Sequence, residues 1–364
     1  MASNTFKFLG GEDIVSSRTL LHEAIPLTGT IVSGTYADGN INNPAHGMFQ
    51  SVYDYPYLSS SANHIFDITV GISANSELYS TVTAQQTKKK NIYNQLAQVL
   101  MGHDHTGSVL RFDQDGNVTG GGTKHDNVFI IPFSRLLVKD EIKKGTFEME
   151  LGVKDAYDKG GANFDHRIKI TDFSGSDGYF VNSPAGEYGV LYATASLGVD
   201  LLKSNQREAV GLLFYQAGIA VISGSVFGDE AYGGILNNSK NTVQLLSDSG
   251  KTGFHVATGS TTQAVSTAIR NRIYNIQFNN TTELNSTIYF CRVKHNEFNY
   301  STNPSYLDNS KIRVKTNSTD EPVSYITSIG LYDDNEQLMA VAKLSEPLKK
   351  TPSTEFTLRC RLDY

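Results

Sequence analysis

From Phe356 to Tyr364, apolar side chains occupy every second position: Phe356, Leu358, Cys360, Leu362 and Tyr364. This is the period of a strand with one face toward a core and the other toward water. A strand so late in the chain must find partners far upstream, which restricts the fold to one whose strands pair over long sequence distances. Before it, the apolar runs 325–332 and 338–344 flank the polar Asp333-Asp334-Asn335-Glu336-Gln337, predicting a hairpin with a longer loop. Residues 356–364 are therefore expected to be core rather than tail.

With 364 residues, the chain is long enough for two or three domains of about 100–200 residues each. Apolar residues make up 39% and charged residues only 19%, the remainder being rich in Asn, Ser, Thr and Gly, which suits β-rich, interface-forming proteins. The net charge of -6 is spread along the chain, so there is no basic field to hold nucleic-acid phosphates. Cys291 and Cys360 both lie in strand-like runs and read as small buried hydrophobes, since two cysteines make neither a metal cluster nor a disulfide framework. The N-terminus lacks the charged start and apolar run of a secretory signal, and no 18-residue apolar window occurs, so folding in the cytosol away from membrane is expected.

Taken in order, residues 1–60 alternate short apolar pieces with Gly, Asn, Pro and Ser and end in a Tyr-rich stretch. They read as an extended arm reaching a neighbouring subunit, with Tyr53, Tyr55 and Tyr57 as its anchors. Residues 64–72 read as a strand. From 89 to 101 the apolar period becomes helical (Ile92, Leu96, Val99, Leu100), with Gly102 as the residue past its end. Lys88, Lys89 and Lys90 would oppose the helix dipole there, so solvent or a carboxylate should face them. Strands are expected at 128–131 and 146–151. Residues 209–227 are the most apolar stretch. Gln216, Gly218, Ser223 and Gly224 cut it into two buried strands serving as core or as an oligomer interface, with Phe214 and Tyr215 as candidate interface residues. A helix is expected at 263–273, with Arg270 and Arg272 exposed in a last turn that favours cations.

The motifs that could carry chemistry are weak. His103-Asp104-His105, with His125 and Asp126 downstream, has metal-ligand types but no Glu-x-x-His or Cys partner at supporting spacing. Asp113-Gln114-Asp115-Gly116 opens like a calcium loop, but Gly120-Gly121-Gly122 follows where a bidentate Glu is needed, and a β-turn is expected instead. No G-x-S-x-G occurs and neither cysteine has triad spacing. Paired glycosidase carboxylates leave no local signature, yet the tryptophans that usually stack sugars are absent. The sequence thus points to a non-enzyme without cofactor or metal.

The stretch YITSIGLYDDNEQLMAVAKL resembles the "IGLYD…LIAVAK" hairpin that recurs in structural proteins of tailed bacteriophages, notably tail-fibre and baseplate-associated ones. HIFDITVGIS, NIYNQLAQVLMG, FSRLLVKDEIKKGTFEMELG and YFCRVKHNEFNYSTNPSY are similar to virion proteins of myoviruses that infect marine bacteria and cyanobacteria. The resemblance implies a virion protein assembled in the host cytoplasm. It would be a structural component of a contractile tail, a baseplate wedge protein first and a neck, collar or fibre-attachment protein second. It would act through interfaces with other tail proteins and with further copies of itself. A virion-associated carbohydrate-binding or carbohydrate-cleaving protein is the rival class. The expected fold is mainly β: an N-terminal arm (1–60), a β-sandwich-like domain (61–160 plus 286–364) with one or two short helices, and an inserted β-rich domain (161–285).

Overall fold

A computed structural model describes residues 6–26, 38–77, 79, 83–116, 122–153, 164, 166–197, 202, 207–228, 234–237, 260–301, 303–313, 315 and 317–364. The fold is mainly β, and the chain divides into two compact units: Leu21–Thr282, and Met1–Leu20 together with Glu283–Tyr364. This division differs from the expected one. Residues 38–53 do not form a free arm, because their strands join the larger unit. Strands between 61 and 160 pair with strands between 161 and 285 rather than forming a sandwich with the C-terminal segment.

The larger unit carries β1 (Ile14–Pro26) from Leu21 onward, β2 (Ile41–Asn42), β3 (Gln50–Tyr53), β4 (His64–Ile72), α1 (Ala84–Leu100), β5 (Asn127–Pro132) and α2 (Arg135–Val138). It continues with β6 (Glu141–Ile142), β7 (Glu148–Gly152), β8 (Arg167–Thr171), β9 (Phe180–Ser183), β10 (Gly186–Leu197), β11 (Glu208–Phe214) and β12 (Ile219–Ser223). It ends with α3 (Thr262–Arg270) and the first part of β13 (Ile273–Val293). The strands form one antiparallel path, β13-β7-β8-β10-β11-β12-β5-β4-β3-β2, with β6 beside β13 and β9 beside β10.

Alternate residues along this path, among them Ile68, Ile131, Met149, Ile170, Leu191, Leu213, Ile222 and Ile276, share one core. Across that core, rings from strands well separated along the path meet. Phe133, just past β5, stands 5.2 Å from Phe278 of β13 and 6.3 Å from Phe66 of β4, ring centre to ring centre. Helix α3 is tied to β4 and β3: Ser266 Oγ donates to the Ile68 carbonyl (3.0 Å), and Gln50 of β3 donates to Thr267 Oγ1 (3.0 Å).

A second apolar layer covers the other face of β5, β12, β11 and β10. Tyr93, Ala97 and Leu100 of α1, with Phe112 from the following loop, pack on Val128, Ile130, Val190, Leu212, Phe214 and Val221. Close approach of α1 to β4 requires glycine, since a Cβ at Gly71 would stand 3.1 Å from Tyr93. The helix begins five residues before the expected 89, with Thr83 Oγ1 accepting from the Gln86 amide (3.4 Å). It closes as expected at Gly102, whose φ is +82°. Lys89 departs from expectation. It is fully buried, donates to the Ser260 carbonyl (2.6 Å), and burial lowers its ammonium to a pKa of about 8. Arg270 and Arg272 are also buried rather than exposed; Arg272 donates to the Gly152 carbonyl (3.0 Å) with its guanidinium 5.0 Å from the Phe227 ring centre.

The smaller unit contains the start of β1, the end of β13, β14 (Leu307–Asp308), β15 (Lys311–Ile312), β16 (Ser324–Tyr332), β17 (Leu338–Lys350) and β18 (Phe356–Asp363). β13 pairs with β18 from Ser286↔Asp363 to Val293↔Phe356, and with β1 on its other side. β16 and β17 form a separate two-stranded sheet. No helix among the described residues is long and apolar enough to cross a membrane.

Candidate functional site: an assembly surface on the small unit

The expected hairpin forms, with β16 and β17 on either side of residues 333–337. Its tip is ordered by Asp333, whose Oδ1 accepts the amides of Asn335 (2.9 Å) and Gln337 (2.7 Å). Its root is fastened to the loop after β13. Buried Lys350 donates to the His295 carbonyl (3.0 Å), Asn299 Oδ1 (2.8 Å) and the Thr351 carbonyl (2.7 Å), and Ser324 Oγ donates to the Phe298 carbonyl. Between root and tip nothing in the hairpin is buried. Only Ser324 and Lys350 are, while Tyr325, Tyr332, Leu338, Met339 and Val341 are exposed, Met339 by 70%.

The rest of the unit repeats this pattern. Phe356, Leu358, Cys360 and Leu362 do alternate along β18, as the sequence predicts, but only Cys360 is buried and the others are half-buried. The expectation that 356–364 is interior is therefore corrected: the strand forms, and its apolar face is left partly open. Across the described residues of the unit, Val293 and Cys360 are the only buried apolar side chains. Polar links hold the sheet together instead: Arg292 to Asp13 (2.8 Å), Lys7 to Glu297 (2.6 Å), Ser16 Oγ to Thr287 Oγ1 (3.4 Å), and Arg18 to Glu283. Hydrogen bonding to Lys7 keeps the Glu297 carboxyl below its usual range. Exposed ion pairs of this kind contribute about 0–1 kcal/mol each. Large apolar residues facing solvent make this sheet the candidate contact surface.

The chain's two cysteines meet in this sheet. Cys360 lies opposite Tyr289 and Cys291 opposite Leu358, a diagonal placement that brings the two free thiols within hydrogen-bonding reach. Burial, reinforced by Cys360, pushes the Cys291 thiol up to about 11. Alkylation of Cys291 by iodoacetamide at pH 8, followed by mass spectrometry, should run about a hundredfold slower in the folded chain than in urea, because only the thiolate reacts. Equal rates would mean that β13 and β18 separate in solution.

The other sequence candidates lie elsewhere. Tyr53 is half-buried between the rings of Tyr57 (6.1 Å) and His64 (5.5 Å), while Tyr55 and Tyr57 are exposed; all three belong to the larger unit. Phe214 and Tyr215 are corrected as interface residues, both being wholly inaccessible. β11 is covered on both faces, so Phe214 points into the α1 layer against Tyr188 (5.3 Å) and Tyr215 into the main core, beside Asp172. A run apolar on both faces signals such a doubly covered strand.

The histidines do not converge. Asp104 caps its own turn, accepting from the amides of Thr106 (2.8 Å) and Ser108 (2.9 Å), with His103 and His105 exposed beside it. His125 is buried, and Asp126 pairs with Arg111 (3.0 Å). Asp113 pairs with Lys124, the two also forming an isolated β-bridge, and Gly120 and Gly121 lie outside the described residues. Among the described residues no three His, Cys, Asp or Glu side chains group as metal ligands. No family model, curated protein or solved structure matches the chain.

Proposed function

We propose that this chain is a structural component of a contractile phage tail, a baseplate wedge protein, that works by being gripped rather than by catalysis. The observation that carries this reading is the small unit: it holds all or part of seven strands, and Val293 and Cys360 are the only buried apolar side chains among its described residues. Fully burying a Leu, Met or Val side chain stabilises by about 1.5–3 kcal/mol. Covering Leu338, Met339 and Val341 against neighbours therefore offers stabilisation that the isolated chain forgoes. The hairpin that bears them is also the segment resembling tail proteins. Its ordered tip and fastened root suit a part docked as a rigid projection, and tail and baseplate proteins are its partners in the assembled virion.

Electron cryo-microscopy of the intact particle tests this. The expected result is density for the chain in the tail baseplate, with residues 324–350 covered by other polypeptides. Density elsewhere in the particle, or a hairpin bare of contacts, would overturn the reading.

A further inference from the structure

Long edge strands in water-soluble sheets are ordinarily blunted by charge, proline or a bulge, because an open row of amide and carbonyl groups recruits another strand. In the hairpin one edge is blunted and the other is not. β17 carries Lys343, Glu346, Pro347, Lys349 and Lys350, and its register with β16 breaks where residues 344–347 stand against Thr327 alone. β16 reads Ser-Tyr-Ile-Thr-Ser-Ile-Gly-Leu-Tyr, with no charge and no proline, and its only strand partner among the described residues is β17. A two-stranded hairpin is at best marginally stable in water, whereas a sheet of three or more strands with an apolar face holds.

We propose that β16 pairs antiparallel with β16 of a second copy of this chain, giving the four-stranded sheet β17-β16-β16-β17 about a two-fold axis at Ser328. The strand's own order favours this partner. In that register Tyr325 lies across from Leu331, Ile326 from Gly330 and Thr327 from Ile329. Tyr325 then meets an aliphatic residue and Tyr332 the small Ser324, glycine makes room for isoleucine, and no like charges oppose one another. Charge at the ends agrees. The antiparallel arrangement carries the tip acids Asp333, Asp334 and Glu336 of each copy to the root of the other, where exposed Lys349 stands across from Tyr325. The acids that act on the root at Lys350, Glu355 and Glu297, already have partners, Glu355 accepting from the His295 amide (3.3 Å) and Glu297 from Lys7 (2.6 Å). The inference rests on the assembly reading above and names one partner within it.

The test uses the full chain and two double variants, Thr327→Lys with Ile329→Lys and Thr327→Glu with Ile329→Glu. In the proposed register each variant sets like charges directly opposite when it self-pairs and opposite charges when mixed with the other. Sedimentation equilibrium should show a discrete dimer for the wild type and a dissociation constant raised about a hundredfold for either variant alone. An equimolar mixture should recover wild-type affinity to within about tenfold, which also shows that both variants are folded. A wild type that stays monomeric, a polydisperse aggregate in place of a dimer, or a mixture no tighter than its parts would overturn self-pairing. If the wild type is monomeric in solution yet residues 324–350 are covered in the particle, self-pairing fails and the assembly reading stands.

Discussion

Replacing Phe278 by alanine is expected to destabilise the larger unit by about 3–5 kcal/mol, the range for emptying a well-packed aromatic site. Phe278 is 1% exposed and packs on Phe133 at 5.2 Å and Phe147 at 6.4 Å, inside the main core. Its removal opens a cavity beside the place where β13 is hydrogen-bonded to the segment after β5, Asp140 N to the Thr281 carbonyl (3.1 Å) and Lys143 N to the Asn279 carbonyl (2.7 Å), and that paired backbone resists collapse into it. Phe278→Leu keeps much of the volume and should cost distinctly less. Urea unfolding followed by far-UV circular dichroism gives both values. A loss below about 1 kcal/mol for Phe278→Ala would mean that Phe278 does not pack on Phe133 and Phe147 in solution.

The second large effect is acid lability seated at His125. The ring is 4% exposed, its Nε2 has no hydrogen-bond partner among the described residues, and burial depresses its pKa to about 4. In the unfolded chain the same group titrates near 6.5. Between those values the unfolded state binds the extra proton and the native state does not. Stability from the neutral ring is thus fully present above about 6.5 and lost as pH falls through about 4, amounting to about 2–3 kcal/mol at pH 4.5. His125→Phe removes the titration while keeping a ring at this buried position, and leaves the backbone bonds of residue 125 to Tyr93 and Phe112 in place. Urea titrations at pH 7 and 4.5 should show the variant losing about 2 kcal/mol less than the wild type over that interval. Equal losses in the two proteins would show that the imidazole is hydrated.

Much of the fold is legible in the sequence where one period dominates. The strand at 64–72, the hairpin flanking 333–337, the helix end at Gly102 and the split of 209–227 into two strands all follow from apolar spacing and glycine. What resists reading is set by partners distant in sequence. β13 runs 21 residues through Asn-Asn-Thr-Thr-Glu-Leu-Asn-Ser-Thr, a stretch with no apolar alternation, because its middle is held by paired backbone and by side-chain bonds such as Asn280 to the Leu137 carbonyl (2.9 Å). Arg272 reads as a surface cation and is buried, since its acceptor, the Gly152 carbonyl, is supplied from 120 residues away. The proposed contact surface is half legible. The alternation at 356–364 announces a strand with an apolar face, but a sequence period cannot say whether the cover comes from the same chain. Tyr53, Tyr55 and Tyr57 looked like anchors by composition alone, while Met339 and Val341 lay inside a hairpin whose faces the sequence did not assign.

The pairing of β7 with the start of β13 sets a timetable for biosynthesis. Met149 waits for Ile276, and Phe147 for Phe278, so the nascent polypeptide must carry a sticky, half-built sheet while the intervening residues are translated. At ordinary elongation rates that delay is on the order of 10 s, long enough for chaperone capture to decide the yield of folded protein.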